Sequence, residues 1–320
     1  MSCFVRSAVA LALAGLLASC ATSSGAGGQG SGDGVNLRFA WPQGFRAQVS
    51  STTSESDGTK PPERTERRYE LELEGIGAER KLITSRPPET GPGSIPAEVR
   101  LPPMPNIVLG PAGELKRIEG TDQALAEMFK DAESQGIPAE QRNQLAKLVG
   151  EALDQSARDR WEELMGKWNG LTLKPGEVVE RKSRRTMPFF GNSVDMRERL
   201  SLKERVSCTE GGTEKRCVRL VLDASLDPAG NERAGRELIQ RMREFMTANS
   251  GLPESALPEM KVTKLQIDSS LELIAEPETL IPHRLRDAGS SVILVQSSDG
   301  ETQSFNLQRE RVEVFTPVAR

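Results

Sequence analysis

Two cysteines in the C-terminal half are the side chains of this chain with the clearest potential for chemistry. Cys208 and Cys217 flank a polar loop that contains Gly211-Gly212, and a run of alternating apolar residues lies on each side of that loop. This pattern is typical of a β-hairpin. Cysteines at the points where the strands meet the loop can face each other, which predicts a structural disulfide in an oxidising compartment. Two alternatives stay open: a reactive thiol pair, which more often has C-x-x-C spacing, and a zinc site, which would need further ligands.

The other residue types with catalytic potential form no recognisable motif. The one histidine, His283, follows Pro282 and is interpreted as a surface or strand-edge residue. The sequence lacks the patterns of serine hydrolases, zinc proteases and calcium-binding loops. Carboxylates such as those of Glu162 and Glu163 are expected on solvated helix faces. The sequence therefore predicts no catalytic residue, no metal and no cofactor, and we do not expect the chain to be an enzyme.

The charge and the aromatic content argue against nucleic acid as a partner. The net charge is −4 and aromatic residues make up 4% of the chain, whereas nucleic-acid binding needs clustered positive charge and, for single strands, stacking side chains. The densest positive cluster, 181–185, is interpreted as a solvated strand edge. Anionic lipid headgroups are the alternative ligand for this cluster.

Residues 1–19 have the features of an export signal. Arg6 precedes an apolar run from Ala8 to Leu17, which is too short to cross a membrane as a helix. The following Leu17-Ala18-Ser19-Cys20 resembles the lipobox of bacterial lipoproteins. That resemblance implies cleavage before Cys20, attachment of diacylglycerol to its sulfur, and further acylation of the new amino terminus.

The same resemblance implies a location in the cell envelope. Ala21 stands where an aspartate would retain an enteric-type lipoprotein in the inner membrane, so the outer membrane is favoured, with the periplasmic or surface face left open. Residues 20–34 are predicted to form a lipidated, flexible Gly/Ser tether. The match of 25–30 to the dinucleotide pattern G-x-G-x-x-G is compositional, because no strand precedes it and no helix follows.

The rest of the chain, 35–320, is predicted to form a single β-rich domain with possible halves 35–175 and 176–320. Tyr69, Leu71 and Leu73 alternate with glutamates, as in a half-buried strand. Further strands are predicted at Val35–Trp41, Phe45–Ser51, Arg80–Thr84, two short strands within Ile107–Ile118, Glu177–Arg184, Met196–Val206, Cys217–Leu226, Val262–Ala275, Leu280–Arg286, Ser291–Ser297 and Thr302–Phe315, with a hairpin turn at Asp299-Gly300.

Four helices are predicted from apolar side chains at helical spacing. The first has Thr121 as its cap and the second opens at Pro138. The apolar positions are Leu125, Met128, Phe129 and Ala132; Leu145, Leu148, Val149, Ala152 and Leu153; Trp161, Leu164, Met165 and Trp168; and, within Asn231–Ala248, Leu238, Ile239, Met242, Phe245 and Met246. Most of these side chains are expected in the core. As an alternative, Phe129, Trp161, Leu164 and Trp168 line an apolar cavity.

These elements predict an α+β fold. The short connections between strands favour a large, curved, mostly antiparallel sheet with amphipathic helices packed on one face. Strands, then helices, then strands occur in both halves, which suggests an internal β-α-β duplication.

Two segments of the folded part resemble those of an uncharacterised, β-rich family of bacterial lipoproteins and secreted proteins. They are Gly113-Glu114-Leu115-Lys116-Arg117-Ile118-Glu119-Gly120 before the first helix and Leu173-Lys174-Pro175-Gly176-Glu177 after the helices. The architecture, strands folded over helices on a lipid tether, is similar to periplasmic lipoprotein carriers of the Lol type and to mycobacterial lipid-binding lipoproteins. These resemblances imply an envelope location and supply no catalytic residues.

Three classes of function fit the sequence. The favoured one is a membrane-anchored structural or interaction module with an envelope protein or lipid as partner. A periplasmic carrier or sensor of an apolar ligand such as lipid would require a cavity between helices and sheet. An envelope hydrolase would require titratable groups gathered in a cleft.

Overall fold

One open, antiparallel sheet of eleven strands forms the larger part of the fold. The computed structural model describes residues 34–85, 104–130, 139–186, 193–250, 257–298 and 300–318. The predictions made for Cys20, Pro138 and Asp299 lie outside these residues.

The strands confirm most of the sequence-based pattern, and several are longer than predicted. They are β1 Val35–Asn36, β2 Phe45–Ser56, β3 Glu63–Ile76, β4 Glu79–Ser85, β5 Asn106–Leu109, β6 Leu115–Glu119, β7 Thr172–Leu173, β8 Val178–Thr186, β9 Ser193–Val206, β10 Cys217–Leu226, β11 Met260–Ala275, β12 Pro282–Ser297 and β13 Thr302–Pro317.

The sheet joins the two halves of the chain through its first and last long strands. Its order is β6-β5-β4-β3-β2-β13-β12-β11-β10-β9-β8. Strand β2 pairs antiparallel with β13, and Val49 stands opposite Phe315. The predicted, mostly antiparallel α+β architecture is therefore present as one continuous sheet. A duplication of the two halves stays a prediction.

Within the described residues, three α-helices accompany the sheet: α1 Thr121–Met128, α2 Ala139–Trp161 and α3 Asn231–Ser250. Helix α2 continues without a break into a π-helical turn, Glu162–Gly166. The second and third predicted helices are therefore one helix. A short 3₁₀ turn, Pro228–Gly230, leads from β10 into α3.

Alternate residues of the strands and the inner sides of α2, the π-turn and α3 form one hydrophobic core. Tyr69, Leu71 and Leu73 are buried as their alternation predicts. From the helices, Trp168, Leu164 and Leu238 reach the same core. Side chains of the helices and of the sheet therefore pack in the same core.

The helical hairpin of α1 and α2 differs from the prediction. Leu148 and Met128 are 55% and 43% exposed, and Leu145 is also exposed, because the first half of α2 lies beyond the core. Thr121 does not cap α1: Gly120 occupies the cap position, and the Thr121 hydroxyl donates to the Asp154 carboxylate. The two helices cross where Gly150 leaves room for a neighbouring side chain.

Two predicted strand boundaries were wrong. Only Val35 and Asn36 of the segment Val35–Trp41 pair as a strand, with β7. Leu37 and Ala40 instead donate single backbone hydrogen bonds to Leu171 and Thr279. Conversely, Leu280–Arg286 and Ser291–Ser297 are not two strands, since β12 runs continuously through the small residues between them.

Candidate functional site

Strand β11 has an open edge over its first half. Strand β10 pairs only with the second half of β11, from Asp268 to Ala275, whereas β12 pairs along the whole of β11. Residues 260–267 therefore have a strand partner on one side alone within the described part of the chain. At about 3.3 Å per residue, this edge is roughly 25 Å long.

The edge is open because β10 turns away from the sheet after Leu226. The Asp227 carboxylate accepts a hydrogen bond from the Ala229 amide at 3.3 Å, which caps the 3₁₀ turn. Pro228 lacks an amide hydrogen and cannot extend a ladder. Arg197 and Lys182 hold the same carboxylate, at 2.9 and 2.8 Å. The chain is thereby directed into α3.

A groove of about 1100 Å³ follows this edge, between β11 and α3. All seven residues of 260–266 line it. Since β10 pairs with none of these residues, the groove runs along the side of β11 that has no strand partner.

Helix α3 forms the opposite wall. At one end, the Asn231 side-chain amide donates to the backbone carbonyl of Leu265 at 3.2 Å, so this carbonyl points out of the ladder toward α3. Further along, a side chain at Gly235 would come within 3.3 Å of Val262, so the helix approaches the strand closely here. Ile239 of α3 and Met260 of β11, both half-buried, add apolar surface.

The groove carries an excess of positive charge. Its charged residues are Lys261 and Lys264 on β11 and Glu232 and Arg236 on α3. Glu232 and Arg236 are partners of each other at 3.6 Å. Among the described residues, no carboxylate pairs with either lysine. The groove therefore offers a stretch of β11 backbone without a strand partner on this side, apolar side chains and two ammonium groups that no described carboxylate pairs with.

The predicted cysteine pair lies at the other end of the same strands. The sulfur atoms of Cys208 and Cys217 are 2.07 Å apart, the separation of a disulfide. His283 was interpreted as a surface or edge residue, but its side chain is largely buried beside this disulfide. Its Nε2 atom lies 3.2 Å from the carboxylate of Glu276.

A buried ionic cluster joins the π-turn to the sheet. Glu162 and Glu163 were expected on a solvated face and are instead 3% and 7% exposed. The π-turn causes this difference, because its wider winding rotates the side chains that follow Trp161 relative to an α-helix. Glu163 accepts from Arg311 of β13 at 2.5 Å, and Lys167 donates to Glu198 of β9 at 2.5 Å.

A second set of ion pairs anchors α2 itself. Arg160 pairs with Glu313 of β13 and also donates to the hydroxyl oxygen of Tyr69. The Tyr69 hydroxyl in turn donates to Glu313 at 2.9 Å. These groups are all buried or nearly so. Because these groups are buried and bond one another, the cluster positions the helix on the sheet.

Glu162 and Glu198, two carboxyl groups of this cluster, have pKa values shifted in opposite directions. Burial raises the pKa of Glu162 to about 7, although Lys167 and Arg181 oppose this shift. Burial also opposes ionisation of Glu198, but the charges of Lys167 and Arg181 outweigh it and hold the pKa of Glu198 below its ordinary value. At neutral pH, Glu198 is the ionised partner of Lys167, and Glu162 is partly protonated.

We expect Glu162 to make the protein less stable as the pH rises. The folded pKa of about 7 exceeds the ordinary value of 4.5, so the stabilisation is complete below about pH 4.5 and is lost as the pH rises through about 7. The Glu162→Gln variant should match the wild type at pH 4 and exceed its free energy of unfolding by about 2–3 kcal/mol at pH 8. Denaturant titrations at both pH values measure this difference. A difference that does not change with pH would show that Glu162 does not titrate in this range.

The residues predicted as alternative cavity lining lie in two environments. Trp161, Leu164 and Trp168 are in the core, and the Trp161 indole donates to the backbone carbonyl of Gly113 at 2.8 Å. Phe129 lies half-buried just beyond the end of α1. The structure therefore does not bring the four side chains together around one site. Lipid attachment at Cys20 stays a prediction.

The basic cluster 181–185 lies on β8, at the outer edge of the sheet. It is only in part a solvated edge. Arg181 donates to Glu198 at 2.6 Å, and Arg185 is 5% exposed. Lys182 and Arg184 remain exposed.

Comparison with family models, curated proteins and solved structures finds no match to this chain. Among the described helices, none has both the length and the apolar composition that membrane crossing requires. The case for a function therefore depends on the geometry of this molecule.

The groove was missed from sequence, although a signal for it was present. The 10-residue strand β10 stands beside the 16-residue strand β11, so part of β11 must lack this neighbour. The predicted strands Cys217–Leu226 and Val262–Ala275 already differed in length. The position of α3 beside the overhang could not be inferred, because it depends on how the chain leaves β10.

Proposed function

We propose that the chain is a lipid-tethered interaction module of the cell envelope, without enzymatic activity, that binds an extended segment of a partner protein along the open edge of β11. The observation that carries the proposal is the coincidence of that edge with the groove beside α3. An extended peptide can pair its backbone with an exposed strand edge, and side-chain pockets beside the edge supply specificity.

The groove also indicates the chemistry of the partner. Lys261 and Lys264 favour acidic side chains, and Ile239, Met260 and Val262 favour apolar ones. Since side chains alternate along a strand, the best ligand is a segment in which apolar and acidic residues alternate. We therefore expect the partner to be recognised by this alternation of apolar and acidic side chains.

A second depression, of about 620 Å³, supports an interaction role less well. It is lined by short runs of residues on four central strands, 223–225, 268–270, 288–290 and 308–310, and lacks large apolar side chains. Its charged groups have partners: Arg286 pairs with Glu310 at 2.6 Å, and Ser270 donates to Asp223 at 2.7 Å. A ligand would have to break these contacts.

Binding is tested with a blocked eight-residue peptide of alternating valine and glutamate. We expect it to bind the purified domain, and a Lys261→Glu/Lys264→Glu variant to bind it at least about tenfold more weakly, corresponding to about 1.4 kcal/mol. The matched control is Lys60→Glu/Lys203→Glu, which changes the net charge equally at exposed positions outside the groove and should bind as the wild type does. Isothermal titration calorimetry measures all three affinities.

A second peptide separates strand pairing from simple charge attraction. N-methylation of alternate backbone nitrogens removes hydrogen-bond donors and keeps the side chains. We expect the methylated peptide not to bind measurably. Equal binding of both peptides would rule out strand addition, and equal weakening by both lysine pairs would place the binding site elsewhere.

The tether is a separate part of the proposal, supported by the lipobox at Cys20. We expect Cys20→Ser to block lipid attachment and release the protein from membranes, because several acyl chains provide the anchoring energy. Membrane fractionation after a high-salt wash measures the release. A variant that stays with the membranes would show that another anchor is present.

A further inference from the structure

The disulfide and the single histidine of the chain occupy one corner of the sheet. Cys217 begins β10 and His283 follows the first residue of β12. Their strands lie on either side of β11, whose last residue, Ala275, pairs with both Val218 and Pro282. Cys208 reaches the same place from the loop between β9 and β10. Residues far apart in the sequence are thus brought together by the strand order.

Three ligand atoms converge at this corner. The two sulfur atoms and one imidazole nitrogen all lie within 4.8 Å of one another. Ligand atoms around a tetrahedral zinc ion are separated by about 3.4–3.8 Å, given Zn–S and Zn–N bonds of about 2.3 and 2.0 Å. Once the S–S bond is broken, the two sulfur atoms reach this spacing by moving a short distance apart. Cys208 lies outside the ladder of β9 and β10, which ends at Val206 and Cys217, so its sulfur can move without breaking strand pairing.

The histidine is held in the way that metal-ligating histidines are held. Its Nε2 lies 3.2 Å from the Glu276 carboxylate, which can only accept a hydrogen bond when ionised. In the neutral ring with hydrogen on Nε2, the lone pair is on Nδ1 and is available for a metal. A carboxylate on the far nitrogen is the usual partner of such a ligand. Thr279 donates to the other oxygen of Glu276 at 3.0 Å and fixes its position.

There is also room for a further ligand. A pocket of about 470 Å³ is lined by both Cys208 and His283. A site with three protein ligands and an adjacent opening can hold water or another small molecule as the fourth ligand.

From this geometry we infer that reduction of the Cys208–Cys217 disulfide creates a zinc site formed by the two thiolates and His283, with Glu276 as the positioning residue. A dithiol reductant supplies two electrons and two protons, so that the S–S bond breaks, two thiols form and the reductant becomes a disulfide. Binding of one Zn²⁺ then releases the two thiol protons. The oxidised protein has no thiolates and does not form the site.

The inference is independent of the proposed partner groove, which lies at the other end of β11. A protein that does not bind zinc could still bind the peptide, and a protein that does not bind the peptide could still bind zinc. The two sites can therefore be tested in the same purified protein with separate readouts.

The experiment uses the whole soluble chain from residue 21, reduced with a phosphine, freed of reductant without oxygen and titrated with Co²⁺ and then Zn²⁺. We expect one Co²⁺ per chain, with a sulfur-to-cobalt charge-transfer band that Zn²⁺ abolishes. The oxidised protein should show no band. Glu276→Gln should weaken binding about 10–100-fold, as the loss of such a partner does, and His283→Ala should weaken it more.

Circular dichroism of the reduced variants confirms that they are folded before titration. If His283→Ala disturbs the fold, Glu276→Gln provides the same comparison with the shape of the side chain preserved. A reduced wild-type protein without the charge-transfer band would overturn the inference. Unchanged affinity in both variants would also overturn it, because the thiols would then bind the metal without the histidine.

Discussion

Replacement of Glu198 by alanine is expected to lower the free energy of unfolding by about 3–5 kcal/mol. The carboxylate bonds Lys167 at 2.5 Å and Arg181 at 2.6 Å, and the Lys167 side chain is 1% exposed. Removal of the carboxylate leaves a buried ammonium group without its counter-charge, and costs of this size follow. Denaturant unfolding of the wild type and the variant at pH 7 measures the loss.

The matched control is Glu180→Ala. Glu180 pairs with Arg199 at 3.2 Å, and both side chains are more than half exposed. An exposed pair of this kind contributes at most about 1 kcal/mol, because water and salt screen the charges. Equal losses in the two variants would show that Lys167 is solvated in the Glu198 variant and that the cluster is not a buried anchor.

Replacement of Trp168 by alanine is expected to cost a similar amount, about 3–5 kcal/mol, through the cavity that it leaves. Trp168 is fully buried, and its indole donates to the backbone carbonyl of Glu163 at 3.2 Å. The control is Leu148→Ala on the exposed part of α2, where the side chain is 55% exposed and the change should stay within about 0.5 kcal/mol.

The Trp168→Ala variant also distinguishes between the two functions, an interaction module and a carrier of apolar ligands. A packed core predicts a large loss of stability and no binding of a fluorescent fatty acid by the wild type. A small loss of stability combined with fatty-acid binding would contradict the packed core and favour the carrier.

The sheet could be predicted from sequence because its strands alternate apolar and polar residues. Phe45, Ala47 and Val49 on β2 and Tyr69, Leu71 and Leu73 on β3 are buried while the residues between them are not, as alternation requires of strands with one covered face. The segments predicted as strands were therefore correct nearly everywhere. The main error of the prediction was to divide β12 into two strands. It arose at Ala288–Ser291, where small side chains interrupt the apolar pattern but the strand pairing continues.

The positions of the charged residues could not be predicted in the same way. Glu162 and Glu163 have the composition of an exposed helix turn, and only the π-turn and the partners on β9 and β13 explain their burial. His283 has no sequence neighbour that marks it as a ligand. Its relation to Cys208 and Cys217 depends on the order of β10, β11 and β12 in the sheet.

Most of the candidate site could not be predicted from sequence either, because it depends on the path of the chain. The groove is a property of the place where β10 ends and α3 begins, not of a motif. Asn231 was predicted as the start of a helix, but its contact with the Leu265 carbonyl follows only from the path of the chain after Asp227.

Amide hydrogen exchange across β11 tests the central claim most directly. In the free protein, the outward-facing amides of residues 260–267 should exchange faster than those of Asp268–Ala275, which have strand partners on both sides. Saturation with the valine–glutamate peptide should slow exchange in 260–267 and leave β8 unchanged, while the N-methylated peptide should have no effect. Protection that appears elsewhere, or no protection at saturating peptide, would contradict the account.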